Sequence, residues 1–181
     1  DDKTTPGSFI EELLGSDDPP AIVTFNYPES WKLSTRKISC QNLEECSSGD
    51  ISARDLKSGI STFVVVAPAP PGGLAGVDSR FFMQYVYGKG GKYGAYGAPD
   101  QVDIEKQKAS GLATLFDVKF TAFTPNLRML DKRSVIAASA VGQDIYMLVT
   151  TTTVNRWKFD EKDVRRVSES FAAAAAPKRS R

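Results

Sequence analysis

Three extended segments, about residues 112–124, 132–141 and 145–154, dominate the C-terminal half of the chain, and only Gly142-Gln143 separates the last two. A two-residue connection cannot carry a crossover, so these two segments must pair antiparallel as a hairpin. Two earlier stretches also read as strands. Ile22-Val23-Thr24-Phe25-Asn26-Tyr27 ends at the turn Pro28-Glu29-Ser30, and Trp31 opens a further extended run to Ile38. Residues 60–67 are the clearest buried strand, stopped by Pro68-Ala69-Pro70-Pro71-Gly72-Gly73, which can continue neither a ladder nor a helix. The polar stretch 39–58 reads as a loop.

Three helices are predicted. Ser8-Phe9-Ile10-Glu11-Glu12-Leu13-Leu14-Gly15 has Ser at an N-cap, Glu11 three residues later and a closing Gly, giving a short amphipathic helix. A helix so short is marginal alone, so Ile10, Leu13 and Leu14 are expected to dock on the domain or on a partner. The second helix starts after Asp78, with Val77 and Phe82 as a hydrophobic staple, and ends at Gly88. The third has Asp160 as N-cap, Asp163 at the third helical position and Phe159 with Val164 as staple. Its apolar face is Val164, Val167, Phe171 and Ala174 or Ala175, and Pro177 stops it. With no internal repeat and no long linker, the chain reads as one α+β domain over residues 21–176, an N-terminal extension over 1–20 and a basic tail over 177–181.

Composition narrows the function. A chain of 181 residues hides roughly 70% of its unfolded surface, so no metal or disulfide staple is required. The absence of histidine removes Ser-His-Asp and Cys-His catalysis, a histidine base and the histidine zinc sites. With 23 basic against 22 acidic residues the net charge is +1, against the basic excess of proteins that neutralise nucleic-acid phosphates. No apolar run approaches the ~20 residues of a membrane helix. The chain begins at Asp1 with no basic or apolar leader, which is expected of a processed chain freed of its targeting segment, and it has no Asn-x-Ser/Thr sequon.

The motifs that invite chemistry have plainer readings. Residues 88–97 are glycine-rich and carry Lys89 and Lys92, but neither dinucleotide nor P-loop spacing is present, so the segment is expected to be a surface or docking loop. Cys40 and Cys46 have five residues between them in a polar loop. They form a candidate disulfide that would mark an oxidising compartment, two free surface thiols being the other reading. Asp160, Glu161 and Asp163 suit a helix first turn, Glu161 precedes Arg165 at ion-pair spacing, and Asp103, Glu105 and Asp117 make no acid–base pair. No nucleophile elbow exists, so no enzymatic activity and no metal site are expected. Arg128, Lys132 and Arg133 surround Leu127 and Met129-Leu130, and Arg156 and Lys158 flank Trp157. Basic residues beside apolar ones suit an interface with an acidic protein, a solvated turn being the alternative, and Trp157 is expected to be core.

Several segments carry a family likeness. Phe25-Asn26-Tyr27-Pro28-Glu29-Ser30-Trp31-Lys32 resembles the strand-Pro-x-x-Trp opening of the PsbP family, the extrinsic proteins of the thylakoid lumen. Gly142-Gln143-Asp144-Ile145-Tyr146, Asn155-Arg156-Trp157 and Ser168-Glu169-Ser170-Phe171 resemble its closing hairpin, Arg-Trp element and final helix, with residues 62–68 between. The likeness spans about residues 21–176. It implies an αβα sandwich around a mostly antiparallel sheet of about six strands, no enzymatic activity and no cofactor of its own. It also implies a chloroplast thylakoid lumen location, peripheral to the membrane, and docking on a photosynthetic complex. Photosystem II is the first choice of partner, with support of oxygen evolution and calcium and chloride retention; photosystem I or the chloroplast NDH complex comes second, as for assembly factors. A small-ligand or ion-binding module using the concave side of the sheet is the alternative, and the Ran-binding nuclear import factor fold shares the architecture.

Overall fold

The computed structural model describes residues 6–13, 21–36, 50–88, 92–94, 96–99 and 101–177, with the backbone alone at residues 6, 9–13, 36 and 50. Among them run β1 (Pro6–Leu13), β2 (Ala21–Pro28), β3 (Lys32–Arg36), β4 (Asp50–Arg54), β5 (Ser61–Pro68), α1 (Ser79–Phe82), β6 (Val102–Ser110), β7 (Ala113–Phe123), β8 (Met129–Val141), β9 (Asp144–Thr153), α2 (Trp157–Glu169) and β10 (Ala172–Ala175). The main sheet has seven strands in the order β3-β4-β5-β9-β8-β7-β6, every neighbour antiparallel. The expected hairpin is present: Val141 pairs with Asp144, and Gly142 takes the left-handed φ of 59° that so tight a turn needs.

The pleat sends alternate residues to opposite faces, and both faces are covered. Phe116, Val118 and Phe120 of β7 point toward α1, where fully buried Phe82 meets Phe116 edge to face at 5.2 Å. Leu115 of β7 and Val135 and Ala137 of β8 point the other way, against Val164 and Val167 of α2 and Val23 and Phe25 of β2. Burying each such side chain contributes roughly 1.5–3 kcal/mol. The result is the expected α+β sandwich, with a seven-stranded main sheet and a second sheet of three strands, β1-β2-β10.

That second sheet corrects two expectations. Residues 6–13 form a strand rather than a short helix, pairing with β2 from Pro6↔Pro28 to Leu13↔Ala21. An exposed strand edge offers a ladder along the whole segment, which outweighs the few hydrogen bonds of a two-turn helix. At the other end α2 stops at Glu169, well before Pro177, and Ala172–Ala175 pair with the opposite edge of β2. Alanine's helix propensity yields here to tertiary pairing. α2 also begins earlier than expected, at Trp157, so Asp160 is no N-cap; its carboxylate accepts hydrogen bonds from Arg156 (3.0 Å to each oxygen) and Thr152 instead.

Two further strands occupy segments without a strand signal. β4 lies within the expected polar loop, and β6 is nine residues long with only Val102 buried and Ile104 and Ser110 half-buried, the rest being exposed. The Asp78 cap is as expected, its Oδ1 accepting from the Phe81 N–H at 3.0 Å. Beyond Phe82 the helix widens into a π-turn over Met83–Tyr87, closed by Gly88, where a Cβ would lie 2.5 Å from the Met83 carbonyl oxygen. The expected Glu161–Arg165 pair forms at 2.7 Å. Cys40, Cys46, Leu14, Lys89 and the tail from Lys178 lie outside the described residues, as do the side chains of Ile10 and Leu13.

Candidate functional site, a cationic cleft at one end of the sheet

Antiparallel order brings the end of β4, the start of β5, the end of β7, the start of β8 and the end of β9 to one end of the main sheet. Arg54 stands opposite Ser61, Ser61 opposite Thr151, Thr151 opposite Ser134, and Lys132 opposite both Phe120 and Thr153. Lys92, Tyr93 and Tyr96 cover this end on the α1 side, and between them and the strands lies a cavity of about 400 Å³. Among the described residues its charged walls are Arg54, Lys92 and Lys132, and no carboxylate lines it.

Tyr93 anchors the cover. Its ring packs against Phe63, Tyr87 and Phe120 with centroids 4.9–5.7 Å apart, and the Lys132 ammonium sits 5.3 Å from its centre. The expected surface loop therefore has a buried foot. Gly97 follows in a left-handed conformation (φ 130°) flat on the Phe123 ring, which a Cβ would approach to 3.1 Å. Beneath, the buried hydroxyls of Tyr87 and Tyr93 lack a well-formed hydrogen bond, although Ser134 lies beside the first and Thr151 and Ser61 beside the second. Burial pushes both phenols above their ordinary pKa, the neighbouring hydroxyls offsetting this only in part, so they stay neutral.

Burial, and then the charge of Arg54, push the Lys132 ammonium below its ordinary 10.5. The folded protein thus holds that proton less tightly than the unfolded chain. Stability gained from this group is present above the unfolded pKa and lost as pH falls through the folded one, so at neutral pH the charge is a net cost. Lys132→Met is expected to raise the melting temperature at pH 7, by less at pH 10.5. Calorimetry at the two pH values checks this, and a lower melting temperature at pH 7 would contradict it.

The structure sorts the cations singled out in the sequence. Lys92 and Lys132 meet in the cleft, the former also over the Phe63 ring at 4.7 Å. Arg128 lies on the β7–β8 connection between Leu127 and Met129, which are 70% and 71% exposed. Leu127 carries a positive φ of 56°, a conformation uncommon outside glycine that turns an apolar side chain to solvent. Lys158 lies over exposed Phe159 at the start of α2. Arg133 and Arg156 are committed internally instead: Arg133 reaches Glu105 at 3.1 Å and Asp117 at 3.6 Å, and Arg156 holds Asp160. Trp157 packs on the core as expected, with the Arg133 and Arg165 guanidinia 4.0 and 5.5 Å from its centre. Arg54, Tyr93 and Tyr96 carried no sequence signal. Nothing in the residue string around them says that the end of β4, a covering segment about 40 residues on and the start of β8 about 80 residues on come together.

Among the described residues no three His, Cys, Asp or Glu side chains gather as a metal site would require, and no helix is long and apolar enough to cross a membrane. No protein-family model and no curated protein matches the sequence. The architecture does match solved structures. The cyanobacterial PsbP protein (CyanoP) of Synechocystis sp. PCC 6803 superposes with a TM-score of 0.55 at 13% identity, over 93% of this chain and 92% of that one. The fold is PsbP-like. A second similar structure is LpqN of Mycobacterium tuberculosis, a protein involved in cell envelope biogenesis, with a TM-score of 0.48 at 9% identity over 93% of this chain and 91% of the other. The PsbP-like order of strands is what sets Arg54, Lys92 and Lys132 around one cleft.

Proposed function

We propose that the chain is a non-enzymatic PsbP-like module that docks, through the cationic end of its main sheet, on the lumenal face of a photosynthetic membrane complex. Photosystem II is the first partner, where docking would support oxygen evolution and calcium and chloride retention without a cofactor held by this chain; photosystem I and the NDH complex come second. One observation carries the reading: cations and exposed apolar side chains share one end of the sheet. Arg54, Lys92, Arg128 and Lys132 stand there with Leu56, Tyr96, Leu127 and Met129, four residues that are 52–71% exposed. An acidic protein surface with a few apolar pockets complements that mixture, the charges steering encounter and the apolar side chains supplying contact. The likeness to CyanoP supports the choice of partner class.

Native electrophoresis of solubilised thylakoids tests the reading. The protein is expected to co-migrate with photosystem II and to be released by washing in about 1 M NaCl, where the screening length falls to about 3 Å. Migration only as a free monomer, before any salt wash, would defeat it.

A further inference from the structure

We propose that the cavity between Lys92, Tyr93 and Tyr96 and the strand ends is a binding site for a small aromatic anion, a single ring bearing a phosphate or carboxylate head. The inference goes beyond docking and does not rest on it. Three features of the cavity converge on this chemistry. At about 400 Å³ it lies within the usual range of small-molecule sites and is large enough for one ring with its head group. Among the described residues its charge has one sign: Arg54, Lys92 and Lys132 face it from three different parts of the chain, no described acid lines it, and no described carboxylate pairs with Arg54 or Lys132. Part of its remaining wall is aromatic, made by Tyr93, Tyr96 and Phe123, which offer ring faces and edges for stacking.

The energetics favour an anion over a neutral ligand. Burial, and then the neighbouring charge of Arg54, loosen the Lys132 proton. An anion seated between Arg54 and Lys132 replaces their repulsion with two attractions, each a charge-assisted hydrogen bond in a partly desolvated setting. Of the proposed docking end, Leu127 and Met129 lie on the hairpin outside the cavity lining, whereas Arg54, Lys92, Lys132 and Tyr96 line it, so a small ligand and a protein partner would compete for the same cations.

Isothermal titration of the purified protein at constant ionic strength tests this, with phenyl phosphate, benzoate, inorganic phosphate and phenol as probes. Saturable one-to-one binding of phenyl phosphate or benzoate is expected, at least fivefold tighter than inorganic phosphate, with no binding of phenol. Arg54→Gln and Lys132→Gln should each weaken it at least tenfold while melting cooperatively. Arg54 is exposed on β4, so its variant carries the test should Lys132→Gln fail to fold. No saturable binding overturns the proposal. So does equal binding of inorganic phosphate, which would mean a bare anion patch, or unchanged affinity in Arg54→Gln. Binding of a poly-glutamate peptide with none of phenyl phosphate or benzoate would likewise overturn it and assign the cavity to protein docking. Failure here leaves the native-gel result untouched, and the reverse also holds.

Discussion

Asp117→Ala is expected to lower the unfolding free energy by about 3–5 kcal/mol, the range found when one partner of a buried ion pair is removed. Asp117 lies on β7 beneath α2, 3% exposed, and accepts two parallel hydrogen bonds from Arg165, at 3.0 Å from Nη1 and 2.7 Å from Nη2. The Arg133 guanidinium approaches the same carboxylate at 3.6 Å and stacks on Trp157, whose ring Arg165 also meets. Removing the carboxylate leaves two guanidinium charges around one indole with only Glu105 and Glu161 to balance them. A loss of that size in a domain this long lowers the melting temperature by roughly 6–20 °C. Denaturant titration and calorimetry measure it. A loss under about 1 kcal/mol would show that water screens the cluster as it does a surface pair.

Reversing Arg54, Lys92 and Lys132 together to Glu is expected to weaken docking on salt-stripped thylakoid membranes at least a hundredfold, about 2.7 kcal/mol or more. Each reversal both deletes an attraction and adds a repulsion at the same acidic surface. The salt dependence of binding should flatten in parallel, because salt acts on the charges now missing. Lys162→Glu with Arg166→Glu, on exposed positions of α2, is the matched control and should change affinity less than threefold. Far-UV circular dichroism confirms folding of each variant. Membrane binding that survives the triple reversal, or falls equally with the control, would place the docking surface elsewhere.

The sheet's centre was legible in the sequence because its signals are local. Gly142-Gln143 between two apolar runs admits one arrangement, and Asp78 before Phe81-Phe82 caps a helix wherever it lies. The edges were not legible. Eight residues beginning Ser8 satisfy a capping pattern and a strand equally well, and only the free edge of β2 decides between them. Ala172–Ala175 read as helix by propensity for the same reason, the deciding partner lying almost 150 residues away. β6 is mostly solvent-facing and so shows no apolar alternation. As for the cleft, the sequence displayed Lys92 and Lys132 but not Arg54 or Tyr93, since their nearness is a property of strand order, which no short window contains.

The three-stranded sheet has a kinetic meaning. β2 is the middle strand between β1 and β10, the first and last strands described, and Ser170 accepts from the Asn26 N–H at 2.8 Å across 144 residues of separation. Closing so long a loop costs chain entropy before any of these bonds can offset it, so this sheet is completed late in folding, after the local hairpins of the main sheet. Until then the edge of β2 that β10 will cover stays open and able to recruit a strand from another molecule, whereas β1 can close the other edge as a local hairpin. The module is thus latched by its own two ends. A protease trimming either end, or a chaperone holding one, would act on the state of the whole fold.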